Sequence, residues 1–178
     1  VEFNQGPNCS HENEIAQCEA YSCRHFVKHW LHAEHLLVDH KKLSKSLGNF
    51  FTLRDLLAKG YTGKEVRMML LQTHYRTQLN FTLAGLDGAR AALQRLADFI
   101  HRLKEIHTGA SHGHITPLIA VTMSAFQGHL ADDLNISPAL AALFDLVREV
   151  NVLCDAGKVG LEEAQALLAF LSQIETAL

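Results

Sequence analysis

A basic loop with two hydroxyl groups lies in the first third of the chain, in the segment KLSKS at residues 42–46, and Gly48 follows it. The loop offers the ammonium groups of Lys42 and Lys45, the hydroxyls of Ser44 and Ser46, and several backbone N–H groups. Such groups stabilise negative charge that develops on a phosphate during a reaction. A lysine that reaches the phosphate only in the transition state speeds the chemistry rather than tightening binding. The five residues alone also fit a soluble surface turn, so their context must decide.

Short elements on both sides of this loop are predicted to position it. Residues 36–39 are expected to form a strand that enters the loop. Thr52 is the expected N-cap of a short helix that Gly60 ends, and Thr62 is the expected N-cap of the next helix. An earlier helix is expected to begin near Ser10, with acidic residues in its first turn.

The rest of the chain shows apolar residues at helical spacing. The longest predicted helix follows residue 82, and its apolar stripe consists of Leu83, Leu86, Ala89, Leu93, Leu96, Ile100 and Leu103. Three more helices are predicted at Pro117–Leu130, Pro138–Asp155 and Leu161–Ala177. Because none of these helices can bury its stripe alone, a bundle is expected. The predicted fold is mainly α, with a small mixed α/β loop segment at residues 1–78 and an α-helical bundle at residues 79–178.

Composition excludes some classes of protein. Hydrophobic residues make up 48% and charged residues 20% of the 178 residues, as in ordinary globular domains. No apolar run approaches the roughly 20 residues of a membrane span, and we expect no membrane association. The four cysteines do not form a disulfide framework, which favours a reducing cytoplasm. Residues 24–54 carry six Lys or Arg against two acids, so one face is suited to an anion.

Several segments together resemble a known family. KLSKSLGNFFTLRDLL is similar to the KMSKS signature of class I aminoacyl-tRNA synthetases, with Leu43 in place of methionine. HENEIAQCEA at residues 11–20, FVKHWLHAEHLLVD before the loop and HYRTQLNF at residues 74–81 resemble cysteinyl-tRNA synthetases. ADDLNISPALAALFDLVREVN at residues 131–151 is similar to the helical domain of that family. The resemblance extends over nearly the whole chain from Ser10 onward.

The resemblance implies a role for the loop. The family joins cysteine to tRNA(Cys) through a cysteinyl-adenylate, and its lysine-serine loop handles the phosphates of ATP with its Mg²⁺. Lys45 would then stabilise the transition state at the α-phosphate, and Lys42 would assist it. Ser44 and Ser46 would add hydroxyl or N–H contacts to ATP. The helical domain would dock along tRNA, and we expect a monomer.

The chain also departs from the family pattern. The family binds zinc with a histidine and a glutamate in a Phe-Pro-His-His-Glu-Asn-Glu motif, and residues 8–14 read NCSHENE. Ser10 therefore stands where a ligand histidine is expected, while Glu14 is retained. Cys9 or His11 could join Glu14, because thiolate and imidazole suit zinc, but three ligands do not close a site. We expect little bound zinc. Phe26 and Trp30 are expected in the core under the loop.

Three functions remain open at this point. The first is part of a cysteine–tRNA ligase that supplies the ATP-phosphate loop and the helical tRNA-docking domain. The family's His-Ile-Gly-His motif is missing, so we expect the chain alone to be inactive. The second is a catalytically inactive module, derived from a synthetase, that binds tRNA or a protein. The third is a related cysteine-activating ligase that makes a small thiol, which HYRTQLNF disfavours.

Overall fold

The computed structural model of the protein describes residues 2–3, 10–42 and 51–177. Within them lie seven helices: α1 Ser10–Ser22, α2 Leu53–Ala58, α3 Gly63–Leu71, α4 Leu83–Lys104, α5 Ile115–Ala131, α6 Ile136–Asp155 and α7 Leu161–Ala177. The strands in the same residues are β1 Glu2–Phe3, β2 His32–Ala33, β3 Leu37–Val38, β4 Lys41–Lys42 and β5 Asn80–Phe81. The predicted fold class, mainly α with a small mixed segment, is confirmed.

The chain divides into two compact units. The first consists of residues 1–50 and 75–82, and the second consists of residues 51–74 and 83–178. Both units are therefore discontinuous in sequence. The predicted domain boundary after residue 78 follows the order of the chain instead, and it stays a prediction.

Two small sheets lie in the first unit. β1 pairs with β2 in parallel, and a second sheet has the strand order β4-β3-β5. β3 is antiparallel to β4 and parallel to β5, and the paired residues of β3 and β5 are 43 positions apart in the chain. Val38 of β3 and Phe81 of β5 are both buried and give this sheet its apolar support.

The second unit begins with two short, strongly capped helices. The hydroxyl of Thr52 accepts a hydrogen bond from the N–H of Asp55, whose carboxylate accepts one from the N–H of Thr52. Thr62 and Glu65 repeat this reciprocal capping box at the start of α3. Each box satisfies two backbone donors that a helix start leaves without an intrahelical partner. Both predicted N-caps are confirmed.

The remaining helices of this unit form the bundle. α4 has 22 residues and packs against α3, α6 and α7, while α5 packs along α6. The buried side of α4 consists of Leu86, Ala89, Ala92, Phe99 and Leu103. Burying a leucine or phenylalanine side chain contributes about 1.5–3 kcal/mol, so this face stabilises the helix far more than its intrinsic propensity does.

A buried carboxylate holds the connection between α4 and α5 next to the start of α7. Glu163 is only 4% exposed, and its Oε1 accepts hydrogen bonds from the N–H groups of His112 and Gly113. Its Oε2 accepts a third from the N–H of Gly160. A Cβ on Gly160 would lie 2.5 Å from the carbonyl oxygen of Ala110, so no other residue fits there without a shift. Glu163 thus joins the α4–α5 connection to α7.

Some sequence-based boundaries and placements were wrong. The sequence predicts helix starts at Pro117 and Pro138, but α5 and α6 each begin two residues earlier. A proline is tolerated there because the first turn of a helix needs no N–H donor. The spacing of apolar residues after Thr62 predicts a helix through residue 75, but α3 ends at Leu71. Phe26 and Trp30, expected in the core, are 43% and 38% exposed. A search of the described helices finds none long and apolar enough to cross a bilayer.

Candidate functional site

Lys42 lies at the end of a short antiparallel hairpin in the first unit. Leu37 faces Lys42 across the two strands, and Val38 faces Lys41. Val38 is 2% exposed, whereas both lysines are exposed. One buried valine therefore fixes a hairpin whose last residue is the first lysine of the predicted phosphate loop. The other predicted loop residues lie outside the described part of the chain, and their roles stay predictions: Ser44, Lys45 and Ser46.

The turn of this hairpin has an unusual backbone. Asp39 and His40 join β3 to β4, and their φ angles are 48° and 61°. Two successive positive φ angles are those of a type I′ turn, which suits the twist of a two-residue hairpin but is unfavourable for residues other than glycine, asparagine and aspartate. The direction in which β4 leaves the sheet therefore depends on contacts that hold this turn.

β5 supplies those contacts. The N–H of Asp39 donates to the carbonyl of Phe81 at 3.2 Å. The N–H of His40 donates to Oδ1 of Asn80 at 2.8 Å, and Nδ2 of Asn80 lies 3.1 Å from Nε2 of His40. The side chain of Asn80 thus binds both the backbone and the ring of His40. Because an amide nitrogen can only donate, Nε2 is the acceptor in this contact, which requires the tautomer with its proton on Nδ1.

The predicted metal ligands lie on and before α1. Nδ1 of His11 is 3.8 Å from Oε2 of Glu14, one turn farther along the helix. The ring of His11 packs at centroid distances of 4.4 Å from Trp30 and 4.6 Å from His32. Cys9 lies outside the described residues.

The donors within the described residues do not make a closed zinc site. Residues 10–42 and 51–177 contain no group of three or more His, Cys, Asp or Glu side chains placed to hold a metal ion. Structural zinc sites use four ligands, and serine is not among the usual ones. How much zinc the chain holds stays a prediction.

An open cleft of about 380 Å³ lies beside the His11 ring cluster in the first unit, lined by Trp30, His32, Ala33, Glu34, Tyr75 and Arg76. Nε of Arg76 donates to the hydroxyl of Tyr75 at 2.8 Å, and its guanidinium lies 5.4 Å from the centre of the Tyr75 ring. The N–H of Glu34 donates to the carbonyl of Tyr75. Aromatic faces beside one cation and one anion suit a partly apolar, partly polar group.

A second cleft, of about 600 Å³, lies between α5 and α6, lined by His114, Leu118, Arg148, Glu149, Val152, Leu153 and Lys158. Arg148 also forms an ion pair with Asp145 at 3.0 Å. Because both signs of charge line this cleft, it does not by itself indicate a nucleic-acid surface.

Sequence reasoning missed the roles of His40 and Asn80. The segment HYRTQLNF was singled out only by its resemblance to a family, and that resemblance gave no function to Asn80. One available signal was the two-residue spacing between Val38 and Lys41, which is typical of a tight hairpin. The partner in β5 gave no local signal, because it lies 40 residues away from the turn.

Two protein-family models match the chain. The model described as the class I (C) tRNA synthetase catalytic domain matches residues 8–91, and the DALR domain model matches residues 125–178. The first match contains the hairpin, Lys42 and β5. The second contains α6 and α7.

Curated relatives agree with both models. A cysteine–tRNA ligase of Protochlamydia amoebophila is 56% identical over 168 residues, which are 94% of this chain and 35% of that protein. Cysteine–tRNA ligases of Chlamydia muridarum and Chlamydia felis are 49% and 50% identical over 94% of this chain. They are covered over 38% and 36% of their own lengths, so the chain spans a little over a third of these relatives. The chain belongs to the cysteine–tRNA ligase family of class I synthetases, and it carries part of the class I catalytic domain followed by a DALR domain.

Proposed function

We propose that this chain is part of a ligase that activates cysteine with ATP and transfers it to tRNA(Cys). The observation that carries the proposal is the hairpin that ends in Lys42, because it leads directly into KLSKS within the region similar to the class I catalytic domain. The high identity to cysteine–tRNA ligases supports cysteine as the amino acid.

Two reaction steps follow from this proposal. A carboxylate oxygen of cysteine attacks the α-phosphorus of ATP, and pyrophosphate leaves. A ribose hydroxyl at the 3′ end of tRNA then attacks the carbonyl carbon of the adenylate, and AMP leaves. The first step builds negative charge on the phosphates, where positive groups on a loop are most useful.

Each predicted residue of the loop has a role in the first step. Lys45 stabilises the charge that develops around the α-phosphate in the transition state. Lys42 assists it from the end of β4, while Ser44 and Ser46 contribute hydroxyl or N–H contacts to ATP. Mg²⁺ bound to ATP supplies further charge compensation.

The helical part has a different role in the proposal. The bundle within residues 79–178 docks along tRNA, so that the acceptor end meets the adenylate in the catalytic part. The complete ligase works as a monomer in the cytoplasm. The similarity of residues 125–178 to the DALR domain supports the assignment of a separate role to the helical part.

The test uses a chimaeric ligase, defined as the Protochlamydia amoebophila relative in which this chain replaces the segment that it matches. We expect cysteine-dependent ATP–pyrophosphate exchange and charging of tRNA(Cys). The isolated chain should give only background exchange, since it lacks the His-Ile-Gly-His motif. A matched chimaera carrying Ser10→His restores the expected ligand histidine. It shows whether a loss of activity comes from the absence of that histidine.

Each outcome has a defined meaning. Activity in the unmodified chimaera supports the proposal. Activity only after Ser10→His contradicts it for the chain as it stands. If both chimaeras fold and bind tRNA but are inactive, the proposal is overturned in favour of a binding module. Robust exchange by the isolated chain would show that this chain does not need the rest of the catalytic domain.

A further inference from the structure

We propose that Asn80 is a positioning residue for Lys42, the first lysine of the predicted phosphate loop, because it fixes the turn from which β4 and Lys42 emerge. The inference rests on the proposed function and adds a residue outside the loop to the activation step. Asn80 itself contacts no substrate in this proposal. It acts through His40.

The first support is the left-handed backbone of the turn, which is unfavourable at His40. Asp39 and His40 both have left-handed φ angles, although neither is glycine. Residues held in this region persist when surrounding contacts over-determine them, and they cluster at functional sites. Without such contacts, the turn would relax toward other conformations, and β4 would leave the sheet in a different direction.

The second support is the match between Asn80 and this turn. Its carboxamide accepts the N–H of His40 at 2.8 Å and lies 3.1 Å from Nε2 of the same residue. One planar side chain therefore fixes both the backbone and the ring of the second turn residue. Alanine could make neither contact, whereas aspartate could keep the first and could keep the second only if the ring proton of His40 moved to Nε2.

The third support is the short path from the turn to the catalytic group. Lys42 is two residues after His40, and it pairs with Leu37 at the open end of the hairpin. A rotation at the turn therefore moves Lys42. Displacements of about 1 Å at a reacting group can cost roughly 100-fold in rate.

The main test is Asn80→Ala in the chimaeric ligase, read by pre-steady-state adenylate formation. We expect the rate of adenylate formation to fall roughly 10- to 100-fold, as for a displaced catalytic group. The affinity for ATP should change by less than about threefold, because the effect is on transition-state geometry. Gln78→Ala is the matched control, since Gln78 is exposed in the same segment, and it should behave like the parent.

Two further variants separate positioning from general damage. Asn80→Asp keeps an acceptor for the N–H of His40 and should recover most of the rate. His40→Gly removes the backbone strain, so adding Asn80→Ala to it should cost much less than Asn80→Ala costs alone. Amide exchange at His40, followed by NMR in the intact 178-residue chain, should be faster with Asn80→Ala and unchanged with Gln78→Ala.

Several results would overturn the inference. A rate within twofold of the parent after Asn80→Ala would remove the role, and equal losses in ATP affinity and rate would show a binding effect instead. Additive effects of His40→Gly and Asn80→Ala would show that the two residues act independently. Failure of the proposed function is a different result, because the parent chimaera itself would then be inactive.

Discussion

Nε of Arg90 on α4 donates a hydrogen bond to Oε1 of Glu65 on α3 at 2.8 Å, and Glu65 also accepts the N–H of Thr62 with its other oxygen. One carboxylate therefore caps α3 and joins it to α4. The hydrogen bonds from Arg90 and then from Thr62 hold the pKa of Glu65 below its ordinary value. Arg90 further donates to the carbonyl of Gly60 at 2.8 Å and stacks over Tyr61 at 4.7 Å.

Arg90→Lys should lower the melting temperature of the chain. Lysine cannot reproduce the planar set of donors that reaches Glu65 and Gly60 together, nor the stacking on Tyr61. Arg148→Lys is the matched control, because Arg148 is exposed and makes one ion pair with Asp145. Thermal unfolding followed by circular dichroism at low and high salt measures both. Equal melting temperatures would show that the α3–α4 junction does not depend on this guanidinium.

Glu163→Gln should destabilise the chain by about 1–3 kcal/mol at pH 7, because a carboxylate that accepts three N–H groups is replaced by an amide that is partly a donor. The exposed neighbour Glu162 gives the control, Glu162→Gln, which should change stability by less than about 0.5 kcal/mol. Urea unfolding at pH 7 measures the difference. Equal urea midpoints for the parent and Glu163→Gln would show that Glu163 does not hold the α4–α5 connection to α7.

The same carboxylate predicts a pH dependence. Burial raises the pKa of Glu163, but the hydrogen bonds from the N–H groups of Gly160, His112 and Gly113 outweigh it, and the folded pKa lies below the ordinary value. Its stabilisation is then complete above the unfolded pKa of about 4.3 and is lost as pH falls through the folded pKa. The stability gap between the parent and Glu163→Gln should therefore narrow below about pH 4. A gap that stays constant from pH 7 to pH 3 would contradict this.

Ser137→Ala should cost about 0.5–1.5 kcal/mol. The hydroxyl of Ser137, in the first turn of α6, donates to the carbonyl of Gln72 at the end of α3 at 2.6 Å. His74 makes a second contact of this kind, donating to the carbonyl of Asp133 at 2.8 Å. Ser124→Ala on the exposed side of α5 is the control. Unfolding midpoints that fall equally in both variants would show that the cost comes from helix propensity or the surface rather than from this contact.

Lys45→Ala in the chimaeric ligase should slow adenylate formation roughly 10²–10³-fold, as expected for the loss of one charge-stabilising contact in the transition state. The affinity for ATP should change much less, and Lys42→Ala should have the same effect more weakly. Neither substitution should alter stability by more than about 0.5 kcal/mol. Rapid-quench measurement of adenylate decides: equal losses in affinity and rate would mean that the loop only binds, and an unchanged rate would make it a soluble turn.

The purified chain should hold well under one equivalent of zinc after dialysis, because serine occupies the position of the expected ligand histidine. Ser10→His should raise the zinc content, and Glu14→Gln should abolish that gain. Elemental analysis with and without a chelator measures both. Stoichiometric, chelator-resistant zinc in the unmodified chain would show that Glu14 has recruited other ligands, such as Cys9 or His11.

Local signals in the sequence predicted much of the helical part. Thr52 and Thr62 cap helices because a short side-chain oxygen and an acid three residues later satisfy nearby donors. The last helix, at residues 161–177, begins and ends where its pattern does. Gly160 and Glu163 have the same spacing as a cap and its acid, so this signal could have revealed the role of Glu163.

The candidate site was harder to predict because it depends on partners far away in sequence. Nothing near Asp39 or His40 points to Asn80, and only the pairing of β3 with β5 brings them together. Trp30 was misplaced for a related reason: hydrophobic character predicts burial only where enough partners surround the side chain, and its rings pack against histidines at the surface.

The first unit consists of two separate stretches of sequence. This limits where the chain could be divided into two genes or two fragments. A break between residues 78 and 79 leaves β3 on one piece and β5 on the other, although they pair in one sheet. Fragments 1–78 and 79–178 would each expose an unpaired strand edge, which favours association with other chains. Reassembly of the two fragments would have to restore the pairing of β3 with β5 together with the contact between Asn80 and His40.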